Sequence, residues 1–382
     1  METSTVPPTP AKDRRSGRTP PATRIAAAAL TGILLLLLTV HGASSPITLG
    51  TGIAFSLAGA LVTYTILATG TVNRFRLVLF ITMGLAFTVA FSIEHTVHRG
   101  SILLTSGVIS NASTPICPIA IPFTAVPLAV TGKMIFPSTV AALASIFFLW
   151  FAMVLIFGRG WCSWICFFGW MDQFFASLAK KPLIRLDTVP KWAKLFPYAL
   201  MLFLILVGIV ALFPLYCAWL CPLRILYDPP QVATTAAWIL ALIFVIGGFV
   251  FLVAGPYLTK KRLYCSLICP LMPANAIVGQ ISPFRVKVDP EKCIKCGACV
   301  RTCEIYAIAQ KEGEVPEPTI ECMKCGRCMD ACPKGAIDYY LAGTMAAARP
   351  WFVALAVTFC TLLLVGFVRT IIIFALTGTL GE

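Results

Sequence analysis

Seven stretches of the chain are too long and too apolar to be strands or core helices of a soluble domain: residues 25–41, 51–70, 77–93, 138–157, 195–215, 234–255 and 351–368. In hydrocarbon the backbone has to satisfy its own N–H and C=O groups, and roughly 20 apolar residues are the length of one spanning helix. The chain therefore reads as an α-helical membrane protein with about seven transmembrane helices. Its composition agrees, with 58% hydrophobic and 12% charged residues. A formal charge of +14 in such a chain marks the loops held inside the cell, so no nucleic-acid partner is expected.

With the N-terminus inside, the inner segments are 1–24, 71–76, 158–194 and 256–350. They hold every Lys and Arg except Arg99, Lys133, Arg224 and Arg369. Cationic loops near span ends resist translocation, which supports this orientation and leaves the C-terminus outside. Residues 1–24, rich in Pro, Thr and basic side chains, read as a disordered cytoplasmic tail, with a cleaved signal peptide as the alternative. The expected layout is a bundle over 25–270, a charged, cysteine-rich α+β ferredoxin-like head over 271–349 on the cytoplasmic side, and a last transmembrane helix in 350–382. The location is the inner (cytoplasmic) membrane. The outer loop 94–137, with Pro115, Pro118, Pro122 and Pro127, re-enters the membrane or lies against its surface.

The head carries two ferredoxin motifs. Cys293, Cys296, Cys299 and Cys303 form C-x2-C-x2-C-x3-C, and Cys322, Cys325, Cys328 and Cys332 repeat it, with Pro333 following. In two-cluster ferredoxins the fourth cysteine of each run ligates the other cluster. One 4Fe-4S cluster is thus expected on Cys293, Cys296, Cys299 and Cys332, and another on Cys322, Cys325, Cys328 and Cys303. Gly297 and Gly326 let the loops wrap the core. Zinc, with four ligands per site, is the alternative and does not call for an eight-cysteine repeat. The motif resembles bacterial two-cluster ferredoxins, with Glu304 where that pattern has proline; its charge would act on a potential without removing a ligand.

Three C-x3-C pairs follow predicted spans: Cys162 and Cys166, Cys217 and Cys221, Cys265 and Cys269. A spacing of four puts two thiols on one face of a helical turn, ready to share a centre. The order span, GR-x2-C-x3-C, span, outer loop, span, C-x3-CP and two ferredoxin motifs resembles the NapH-type membrane subunit of quinol dehydrogenases, and the membrane half of NosR-type proteins. That resemblance covers roughly residues 115–338 and implies quinol oxidation, or related electron delivery to a periplasmic acceptor, with a quinone pool and a redox enzyme as partners. Phe167 stands where the family has proline after the second cysteine of the first pair.

Cys162, Cys166, Cys265 and Cys269 share the inner face in this topology and suit a third 4Fe-4S cluster; packed or redox-active thiols without iron are the other reading. Cys117, Cys217 and Cys221 face outward and form either a fourth metal centre or a disulfide. Cys360, in the middle of the last span, reads as a small apolar side chain. His41, His95 and His98 lie at the outer ends of the first and third spans, beside Glu94. They suit a haem, a quinone site or no cofactor. Trp161, Trp164, Trp170 and Trp219 anchor the interface, or wall a quinone pocket together with Arg159, Asp172 and Gln173.

Two functions compete. The first is an electron-transfer subunit working among quinone, Fe-S clusters and a partner enzyme, with quinol oxidation as its possible enzymatic activity. The second is a maturation or regulatory factor that reduces a metal such as copper, in which case the outer cysteines handle that metal. No C-x-x-C-H, Walker A or Rossmann motif occurs in the sequence, so covalent c-type haem and nucleotide chemistry have no support.

Overall fold

The computed structural model describes residues 19–41, 45–98, 121–133, 140–213, 215–216, 220–221, 235–310 and 313–378. Among them, seven helices are long and apolar enough to cross a membrane: Pro21–Val40, Pro46–Thr69, Val72–Ile93, Phe147–Trp164, Lys191–Ala211, Ala241–Thr259 and Arg349–Thr377. These are the seven stretches read from the sequence, with shifted ends. The fourth runs past Phe157 because a 3-10 turn at Gly158–Gly160 and a helical turn at Trp161–Trp164 continue it. The sixth is prolonged through a π-helical turn at Val250–Ala254 to Thr259.

Helices α1 (Pro21–Val40) and α2 (Pro46–Thr69) pack against each other. Proline at the first helical position costs no hydrogen bond, and both helices begin with one. In α2 a capping box between Ser45 and Thr48 closes the N-terminus, and Gly70, at φ 69°, ends the helix. Small and hydroxylated residues let these backbones approach, as membrane helices require. Thr31 and Thr63 share a hydroxyl hydrogen bond of 3.0 Å. A Cβ on Gly59 would come within 2.5 Å of Leu35. Helix α3 (Val72–His98) completes this group with the last helix.

The second group is built from α4 (Ile121–Thr131), α5 (Val140–Phe157), α6 (Gly169–Leu178), α7 (Lys191–Ala211), α8 (Thr235–Phe249) and α9 (Leu271–Val278). It meets the first where the ring of Trp170 on α6 lies over Gly84 on α3; a Cβ there would sit 2.0 Å from the indole.

In the head, β1 (Phe284–Val288) pairs antiparallel with β4 (Ile337–Leu341), from Phe284 opposite Leu341 to Val288 opposite Ile337. Strands β2 (Ile308–Ala309) and β3 (Glu317–Pro318) form a second short ladder. Helices α10 (Ala298–Thr302) and α11 (Arg327–Ala331) lie between the strands. After β4 a short turn over residues 342–348, bridged at Tyr340 and Ala347, leads into α12 (Arg349–Thr377). Phe352 on α12 stacks on Tyr339 of β4 at 4.3 Å and meets Phe284, Phe157 and Trp164 edge-on. One hydrophobic core therefore continues from the head into the helices.

Candidate iron-sulfur sites

Two conformationally equivalent loops present the ferredoxin cysteines. Lys295 and Gly297 take φ 56° and 66°, and Lys324 and Gly326 take 53° and 79°. Left-handed residues at matching positions curl each loop, and glycine adopts them at least cost. A recess is lined by Cys293, Cys296, Cys299 and Cys332. Around Cys328 stand Cys322, Cys325 and Cys303. Burial, followed by charge repulsion from neighbouring cysteines, pushes the thiol of Cys328 well up. The structure thus gathers two groups of four in which the fourth cysteine of each run has crossed to the other group.

A third group lies where the fourth and sixth spans end. Cys162 and Cys166 belong to the turn after α5, Cys265 to a π-helical turn at Tyr264–Ile268, and Cys269 is the residue that ends that turn; all four are buried. The turn around Cys166 closes without the family's proline, because the N–H groups of Ile165 and Cys166 both donate to the carbonyl of Trp161, at 3.0 and 2.9 Å. Burial and the nearby Cys162 push Cys166 up to about 12, and burial, Cys162 and Cys166 push Cys269 up. Four buried thiols drawn together in a dry site suit a positively charged iron-sulfide core, which deprotonates its thiol ligands. Polar neighbours fit that donor set. Asn275 Nδ2 lies 3.3 Å from Cys162 Sγ, itself held by Trp150 Nε1 on Asn275 Oδ1 at 2.8 Å. Arg262 Nη2 lies 3.2 Å from Cys265 Sγ. Among the described residues, no three His, Cys, Asp or Glu side chains converge on a single-ion site.

The ligand loop of Cys322 sits directly on this third group. Ser163 Oγ donates to the carbonyl of Met323 at 2.6 Å, Trp164 Nε1 to that of Lys324 at 3.3 Å, and Arg159 to that of Glu321. The backbone N–H of Arg262 donates to the carbonyl of Glu304 at 2.8 Å, and Lys261 Nζ to that of Cys303 at 2.8 Å. Asp330 on α11 accepts the N–H groups of Val72 and Asn73, both at 2.9 Å, and so caps the start of α3. Glu304, buried, pairs with Arg327 and accepts from Gln173 Nε2 at 3.1 Å, while Arg76 donates to Gln173 Oε1 at 3.0 Å. Glu304 thus joins the head to α3 and α6.

Arg159, Asp172 and Gln173, considered from sequence as polar walls of a quinone pocket, are all buried. Asp172 accepts the N–H of Cys265 at 2.9 Å, and burial raises its carboxyl to about 7. These groups bind protein. Cys360 is buried against Phe80, Met83, Trp170 and Leu364, as an apolar side chain would be.

Of the outward trio, Cys117 and Cys217 lie outside the described residues, as does Trp219. Cys221 is buried beside Tyr216 and Tyr264, whose hydroxyls are 2.6 Å apart, and Tyr264 faces Cys269 and Cys265 in turn. Cys221 therefore shares its surroundings with the third group. His41 is exposed at the end of α1; His95 and His98 lie on the last turn of α3, with side chains outside the description.

A 4Fe-4S dicluster domain matches residues 292–336, and a 4Fe-4S binding domain matches three times, at 139–185, 194–231 and 237–288. The chain accordingly binds 4Fe-4S clusters. The middle copy contains Cys217 and Cys221. The signal is present in the sequence, because an aromatic residue precedes the first cysteine of every pair: Trp161, Tyr216 and Tyr264. The Tyr216–Tyr264 contact joins equivalent positions of two copies.

Among curated proteins, YccM of Escherichia coli (strain K12), named as a candidate electron transport protein, is 26% identical over 183 residues, 46% of this chain and 48% of that one. The regulatory protein NosR of Pseudomonas aeruginosa is 29% identical over 43% of this chain and 23% of its own length. Protein NirI of Paracoccus denitrificans is 28% identical over 43% of this chain and 24% of its own. The chain spans about half the length of the first of these and a quarter of the others. No solved structure matches it.

Proposed function

We propose that this chain, a membrane polyferredoxin-like protein of the NosR/NirI type, carries electrons between a donor or acceptor at its head and quinone or a partner redox enzyme at the membrane. Three 4Fe-4S sites stand in a row in this reading: Cys293, Cys296, Cys299 and Cys332 outermost, Cys322, Cys325, Cys328 and Cys303 next, and Cys162, Cys166, Cys265 and Cys269 at the membrane edge. A bound 4Fe-4S cluster supplies one-electron exchange without bond making. The observation that carries the reading is the seating of residues 321–324 on Arg159, Ser163, Trp164 and Arg262. It joins the loop of the second cysteine group to the turns that carry the third.

The residues have three tasks here. Cysteines hold the clusters, while the buried ring of apolar side chains excludes water from the innermost group. Arg76, Gln173, Glu304 and Asp330 hold the head at a fixed depth against the helices. The Lys and Arg distribution favours a cytoplasmic head in an inner membrane. Cys221, next to Tyr216 and Tyr264, adjoins the innermost group, where a further centre or a quinone would continue the row.

The test is reduction by a soluble quinol analogue in detergent. Cysteine-to-serine change at Cys265 is expected to abolish quinol reduction of the head clusters while dithionite still reduces them. Equal quinol reduction with and without Cys265 contradicts the row. The name of NosR raises a regulatory role; copper bound tightly by the purified protein, with no quinol reactivity, would favour that second reading.

A further inference from the structure

Arg262 is a buried cation with no carboxylate among its direct hydrogen-bond partners in the described residues. It is 1% exposed. Its Nη2 donates to the carbonyls of Cys162 at 3.0 Å and Gly169 at 2.8 Å, and lies 3.2 Å from Cys265 Sγ. Its Nη1 lies 3.2 Å from Met323 Sδ, and its Nε has no hydrogen-bond partner among the described residues. A full charge withdrawn from water is strongly unfavourable without an opposite charge close by. Asp172 and Glu304 act on it from nearby, but Asp172 is bonded to the N–H of Cys265, and Glu304 to Arg327 and Gln173. Carbonyls and a thioether are weak partners for a guanidinium. Cysteine thiolates carrying an iron-sulfur core are strong ones.

Arg159 makes the comparison internal. It stands three residues before Cys162, as Arg262 stands three before Cys265. Arg159 reaches the carbonyl of Glu321 on the head, whereas Arg262 reaches both a cysteine sulfur and the residue after Cys322. Equivalent arginines thus flank Cys322 from two sides, and of the two it is Arg262 that reaches a ligand sulfur among the described residues.

The geometry points to Arg262 as a positioning and potential-setting residue for the membrane-edge cluster. Its guanidinium is the counter-charge and sulfur hydrogen-bond donor on Cys265, and its backbone N–H ties that site to Glu304 beside Cys303. This rests on the reading that Cys162, Cys166, Cys265 and Cys269 hold one cluster. Reduction adds one negative charge to the cluster, so a fixed cation and a hydrogen bond to sulfur both favour the reduced form and raise the potential.

Full-length protein with Arg262→Gln or Arg262→Lys, purified anaerobically, separates this role from a structural one. Iron content and EPR-monitored redox titration are read together, with the membrane-edge signal identified by its loss in Cys162→Ser. Both variants are expected to keep the parent's iron. The Cys162-dependent signal moves to lower potential in Arg262→Gln and by less in Arg262→Lys, while the outermost head cluster keeps its potential. An iron-replete variant with an unchanged midpoint overturns the inference, as does an equal shift of every cluster. Loss of the cluster in both variants also overturns it, since Arg262 then serves assembly alone. A parent with no Cys162-dependent signal instead defeats the reading of the quartet, and this inference with it.

Discussion

The two ferredoxin loops share the pattern C-x-K-C-G and nearly the same backbone, yet they live in different surroundings. Ile294, inside the first loop, is 49% exposed, while Met323 at the same place in the second is 2% exposed. Lys295 is exposed and Lys324 buried, with Nζ on Ser282 Oγ at 2.9 Å. Arg301 in α10 folds back to the carbonyl of Cys296, whereas its counterpart Asp330 in α11 caps α3. A duplicated cluster-binding unit has thus specialised by position. One copy faces solvent, and the other is built into the junction with the helices.

Removing a ligand from each copy is the strongest way to break this contrast. Cys296→Ser and Cys325→Ser should each lose about four irons, but only Cys325→Ser should also loosen the junction. Thermal unfolding and limited proteolysis at the head boundary check this; equal loss of stability in the two would contradict it.

Glycine substitutions probe the same contrast with smaller effect. A Cβ on Gly326 would meet Val72 at 2.6 Å, on top of its φ of 79°. Gly297→Ala pays chiefly for its φ of 66°, since the nearest atom is the flexible end of Arg301 at 3.1 Å. Gly326→Ala should therefore cost ~2–3 kcal/mol and Gly297→Ala about 1 kcal/mol, read as a difference in denaturant midpoint.

The smallest effects come from the paired positions 330 and 301. Asp330→Ala deprives α3 of its cap and should cost ~0.5–2 kcal/mol. Arg301→Ala, on the open copy, should stay within about 0.5 kcal/mol. Reversal of that order would place the junction elsewhere.

The helices and the eight head cysteines were legible because both signals are local: apolar runs of spanning length and a fixed ligand spacing. The role of Glu304 was not. Its departure from proline marks the position, but its carboxylate acts through Gln173 and Arg327, far away in sequence. The polar residues around Cys166 are a related case. Arg159, Asp172 and Gln173 look from sequence like the lining of a pocket; in the structure Arg159 and Gln173 bond to Glu321 and Glu304 of the head, and Asp172 to the N–H of Cys265. The threefold aromatic-Cys-x3-Cys repeat was present in the sequence and joins Cys217 and Cys221 to the other pairs. Topology drawn from span counting had separated them.

The proposed function requires Cys162, Cys166, Cys265 and Cys269, drawn from two distant turns, to form a single cluster site next to the clamped head loop. Iron counted in anaerobically purified parent, Cys162→Ser, Cys269→Ser and the double variant tests it most directly. At least about twelve irons are expected in the parent, with the same loss of about four in each single variant and in the double. Losses that add between the two single variants, or a parent with only about eight irons, would contradict it.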